Sequence, residues 1–189
     1  MKLMSKSMRR EVAHLLPTTK RLRMIEKRAL QRMVDVCRIN NECCELMATE
    51  TERAEGYNAT NIIAISDNLS YIIKYTESLS RMLTEIADSC REMKEVFGDN
   101  HSKYICPLLL RRRFKKIFYV SYLLSNVISE MCAIHEEIGE DFKELLKDKM
   151  LNAIRGLSDS ERYEIAQRCK SELGVEISGG EKKSGKKRY

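Results

Sequence analysis

Several short constellations in this 189-residue chain have the residue types of a chemical site. Gly180-Glu-Lys-Lys-Ser-Gly185-Lys186 matches the first seven positions of a GxxxxGK[ST] phosphate loop, in which backbone N–H groups cradle phosphate and a lysine reaches its oxygens. The eighth position is Lys187, where a magnesium-binding hydroxyl is required, and the flanking residues supply neither the strand nor the helix that such a loop joins. Glu11-Val-Ala-His14 has the Glu-x-x-His spacing by which bundle helices hold a di-metal centre. A second copy is missing, because Gly98 stands three residues before His101 and Cys132 three before His135. No HExxH, no CxxC pair and no Gly-x-Ser-x-Gly elbow occur. A thiol and an imidazole one turn apart, Cys132 and His135, become a site only if a polar cavity gathers them. The expectation is a non-enzymatic protein with no metal site and no cofactor.

The basic residues are the stronger signal, because the charges fall into blocks. Residues 1–33 hold ten Lys/Arg and two acids, 34–101 six and thirteen, 102–129 six and none, 130–148 two and seven, and 149–189 ten and six. A net charge of +6 therefore conceals five alternating fields. Arg111, Arg112, Arg113, Lys115 and Lys116 occupy two consecutive turns at a helix start, where positive charge opposes the helix dipole. Phe114, Phe118, Tyr119 and Tyr122 interleave with them or follow, and the phenylalanines are expected to pack in the core rather than stack on bases. An anionic partner is expected to meet Lys20, Arg21, Arg23, Lys27 and Arg28, the 111–116 run, and Lys182, Lys183, Lys186, Lys187 and Arg188.

These side chains need elements to hold them, and the composition admits mainly helices. Two prolines, eight glycines and no tryptophan accompany abundant Leu, Ile, Met, Glu, Lys and Arg. The expected fold is all-α: an elongated antiparallel bundle of three long helices, then one or two shorter C-terminal helices. Residues 1–16 read as a basic amphipathic arm, 17–174 as the bundle and 175–189 as a disordered basic tail, too poor in apolar residues to offset its ordering entropy. Helices are expected over about 18–55 and 60–97 with a turn at Gly56-Tyr57-Asn58, starting after Pro17 and again after Pro107. Ile62, Ile65, Leu69, Ile72, Thr76, Leu79, Leu83, Ile86, Cys90, Met93 and Phe97 make a 3.5-residue seam. A weaker seam runs through Leu22, Ile25, Ala29, Met33, Val36, Asn40, Cys43 and Met47, and a third through Leu110, Phe114, Ile117, Ser121, Leu124, Ile128, Met131, His135 and Ile138. Gly139 either ends that third helix or is tolerated within it, and Ser158-Asp-Ser-Glu161 has capping-box spacing.

Packed up, down and up, the helices would gather the basic segments at one pole, with Glu85, Asp88, Glu92 and Glu95 between them. The other pole would collect Glu42, Glu45, Glu50, Glu52, Glu55, Glu130, Glu136, Glu137, Glu140 and Asp141. Seven cysteines, an odd number without a CxxC pair, suit reduced thiols in the cytoplasm or nucleus. A mitochondrial address suits the N-terminal arm less well, because Glu11 interrupts its basic pattern. No segment holds the roughly 18 continuous apolar residues of a transmembrane span. Association with itself or with a protein partner is the leading expectation. Sequence-nonspecific nucleic-acid binding and binding to an anionic membrane surface are the alternatives.

Overall fold

The computed structural model describes residues 19–53, 56, 58–97 and 108–173, with side chains except those of 92–97, 108–111, 169, 172 and 173. The N-terminal arm, the tail with Lys182, Lys183, Lys186, Lys187 and Arg188, and the side chains of Glu92, Glu95 and Arg111 lie outside this set. Four helices account for nearly all of it: α1 (Thr19–Glu52), α2 (Ala59–Phe97), α3 (Leu108–Arg155) and α4 (Asp159–Leu173). At a rise of 1.5 Å per residue the first three are about 51, 58 and 72 Å long. Each of these three packs on the other two. Arg21 of α1 meets Glu85 of α2, and Glu50 meets Asn61, so α1 and α2 are antiparallel. Lys116 reaches Glu26 and Lys149 reaches the Arg53 carbonyl, so α3 runs parallel to α1.

The core follows the seven-residue repeat of α2. Ile65, Ile72, Leu79 and Ile86 are all buried, with Leu69, Leu83 and Cys90 half-buried beside them. Thr76, the polar member of that seam, turns its hydroxyl to the Ile72 carbonyl, so no donor is stranded. On α1 the seam differs from expectation by one residue. Ile39 is buried and Asn40 only half-buried: the two flank the stripe set by Val36, Cys43 and Met47, and the apolar one is the one covered. The same displacement occurs on α3, where Val120 and Val127 are buried while Ser121 and Ile128 are half-buried. Gly139 is inside α3, which continues to Arg155 without a break. A Cβ at Gly139 would meet nothing within 4 Å, so neighbouring atoms do not require the glycine.

One carboxylate is in the core. Glu50 has no solvent exposure, and it accepts hydrogen bonds from the Asn58 N–H at 2.9 Å and the Asn61 side-chain amide at 2.8 Å. Both donors belong to the start of α2, where Asn58 caps the helix through its own side chain on the Thr60 N–H, so the anion sits at the positive end of the helix dipole. Burial alone would raise the Glu50 pKa. The Asn58 and Asn61 hydrogen bonds, with Arg53 and Lys149 nearby, hold it below the usual carboxylate value instead. Lys149 donates to the carbonyls of Arg53 and Gly56, each at 3.1 Å, and fastens α3 to the same turn. Gly56 has φ +64°, a conformation only glycine adopts without strain.

Just beyond the C-terminal end of α3, Ser158 and Glu161 form the expected capping box. The Ser158 N–H donates to the Glu161 carboxylate at 2.8 Å, and the Glu161 N–H to the Ser158 hydroxyl at 3.4 Å. Arg162 donates to the carbonyls of Ile154 and Arg155, which closes α3 as α4 leaves it.

Candidate association surface

The bundle is electrically bipolar. One end comprises residues 19–31 of α1, 80–91 of α2 and 112–119 of α3, which hold eleven bases and three acids. Residues 40–53, 58–69 and 136–149 form the other end, with four bases and eleven acids. All three acids of the basic end are engaged: Glu26 by Lys116, Glu85 by Arg21 and Asp88 by Arg91. Part of the block pattern is therefore internal neutralisation, worth little per exposed pair. Arg23, Lys27, Arg112 and Lys115 are exposed and have no ion partner among the described residues. Of the expected anion-binding set, α1 and α3 do bring Lys20 to Arg28 and Arg112 to Lys116 to one end. They do not form one patch, since Arg28 lines a shallow groove with Met82 on the α2 flank, while Arg23 and Lys27 line another with Leu30 and Val34.

Immediately beyond these bases α3 departs from expectation. Phe118 does not pack in the core: it is 70% exposed, with Tyr122 at 69% and Tyr119 at 51%. Phe114 is half-buried against the core, and four residues later the same helix presents an uncovered aromatic. The cause is geometric. The buried stripe of α3 centres on Ile117, Val120, Leu124, Val127 and Met131, and Phe118 and Tyr122 fall on the opposite side. The sequence signal was the absence of any charge from 117 to 129, because a helix that exposes one face to water ordinarily carries charge there. An 18-residue window of α3 has mean hydropathy 1.5, yet only 28% of it is buried. Long enough to cross a membrane by length and composition, such a window is equally compatible with the core helix of a soluble protein.

Cys132 and His135 do share a groove of about 550 Å³ between α2 and α3, with Ile73, Glu77 and Glu136 among its walls. It is an open trough where Gly139 lacks a side chain. Glu11 and His14 lie outside the described residues. No group of three metal-ligating side chains occurs among the described residues.

Comparison of the chain with protein-family models, with curated proteins and with solved structures yields no match.

Proposed function

We propose that this protein works by association, as a helical-bundle adaptor or assembly subunit that docks through the outer face of α3 beside its basic end. The observation that supports this reading is the run of exposed aromatics, Phe118, Tyr119 and Tyr122, in an uncharged stretch flanked by Arg112 and Lys115. Exposed apolar patches rimmed by charge mark interaction sites, and aromatic residues with Arg supply most interface energy. The Cys132–His135 trough is open to solvent, with Glu77 and Glu136 in its walls, and no group of three metal-ligating side chains occurs among the described residues. Affinity capture from extract of the source cells, with the wild type and a Phe118→Ser/Tyr122→Ser double variant as baits, tests the reading. Both positions are exposed, so helicity should persist while stoichiometric capture is lost. Equal capture by both baits would contradict it.

Nucleic-acid binding is the second reading, because the uncovered aromatics lie beside bases in the arrangement that stacks and neutralises a single strand. It requires log K to fall with log salt by about 0.7 to 0.9 per neutralised phosphate. Charge reversal at Arg112, Arg113, Lys115 and Lys116 should then abolish binding; binding insensitive to salt would remove this reading. The largely uncovered apolar window of α3 is what an anionic membrane surface would engage, and co-sedimentation with acidic liposomes measures that directly.

A further inference from the structure

Lys115, Phe118, Tyr122, Ser125, Ser129, Cys132 and Glu136 follow one another along α3 at alternating steps of three and four. All seven are exposed. A strict seven-residue repeat keeps one stripe of a helix facing a partner helix, and this stripe is not the one that the bundle buries. α3 thus carries two seams, one toward α1 and α2 and one toward solvent.

Read in order, the outward stripe is base, aromatic, aromatic, small, small, small, acid. Reversed and laid against itself about Ser125, it matches Lys115 with Glu136, Phe118 with Cys132, and Tyr122 with Ser129. Each large side chain faces a small one, each charge meets its opposite, and a serine lies on the axis. Lys115 and Glu136 have no salt-bridge partner among the described residues, so neither is withdrawn by an internal pair. A two-fold interface must be self-complementary in this way, with residue i on residue j and j on i.

We infer that the partner of this face is a second copy of the chain, its α3 antiparallel to the first and the two-fold axis passing at Ser125. This rests on the association reading above and gives it an occupant. The bipolar field supports the same orientation, because antiparallel copies lay the basic end of each bundle along the acidic end of the other. The strip from Lys115 to Glu136 is about 31 Å long and about 10 Å wide, so the contact is small and the dimer dissociable.

Sedimentation equilibrium of the full chain, up to about 1 mM, should show the mass rising from 22.0 kDa toward twice that value. Lys115→Glu and Glu136→Lys should each weaken the dimer about tenfold, and mixing the two variants in equal amounts should restore it, since every cross pair then becomes attractive. Under mild oxidation a Ser125→Cys variant should yield a peptide linked to itself through position 125. A wild type that stays monomeric at that concentration overturns the inference, as does a mixture no tighter than its separate variants. Should monomer persist while the aromatic variant still loses a different captured protein, the second-copy assignment fails and the association reading stands. If neither holds, both fall.

Discussion

Replacing Glu50 by Gln removes a charge from a side chain with no solvent exposure while keeping its shape. The carboxylate accepts from two donors, the Asn58 N–H and the Asn61 amide, one on each oxygen. Gln offers one acceptor oxygen and sets its NH₂ against the other donor, so one charge-assisted hydrogen bond is lost outright and the second becomes neutral. Hydrogen bonds to a charged group contribute about 1.5–3 kcal/mol, which places the loss at about 2–3 kcal/mol. For a chain of this size that lowers Tm by about 4–12 °C. The pH dependence follows from a pKa held low in the folded state. A depressed carboxylate contributes stability above its unfolded-state pKa and loses it as pH falls through the folded value. The gap between wild type and variant in urea titrations should therefore be widest at neutral pH and close in acid. A neutral-pH gap under about 0.5 kcal/mol, the range of an ordinary surface change, would refute the reasoning, as would a gap unchanged on acidification.

Other substitutions separate local propensity from contact. Gly139→Ala should stabilise the chain by about 0.5–1 kcal/mol in denaturant titrations, because a mid-helix glycine is costly and the added methyl meets nothing; destabilisation would mean that the trough beside Gly139 is filled. Gly56→Ala should cost about 1–2 kcal/mol, since its φ of +64° is strained for any Cβ. Peptide-resolved alkylation should label exposed Cys37, Cys44 and Cys132 quickly and Cys43 only on unfolding. Burial pushes the Cys43 thiol pKa up, with Asn68 opposing and Glu42 and Cys44 adding to the rise, so both access and thiolate are scarce there.

Periodicity carried most of the fold. The α2 repeat of Ile65, Ile72, Leu79 and Ile86 specifies a long packed helix whatever its partners, and Ser158 with Glu161 specifies a local cap. One-residue ambiguities were beyond it: Asn40 versus Ile39, and Ser121 versus Val120, depend on where neighbouring helices lie. Phe118 was misplaced for the same reason, since α3 is apolar on two sides and composition does not say which side is covered. Glu50 read as part of an acidic pole because carboxylates usually face water; the Asn58 cap eight residues later was the hint that a buried anion had donors waiting. For the basic end, the position was readable and the pairing was not. Lys116 is drawn to Glu26 and also lies 4.8 Å from the centre of the Tyr119 ring, which leaves Arg112 and Lys115 as the accessible cations beside the aromatics.

Hydroxyl-radical footprinting of the aromatic side chains, in dilute purified chain and in its assembled state, tests most directly whether the outer face of α3 is the docking surface. Phe118 and Tyr122 should lose labelling on assembly, while Tyr71, 48% exposed on α2, keeps its own. Equal labelling of Phe118 and Tyr122 in both states would contradict the assignment.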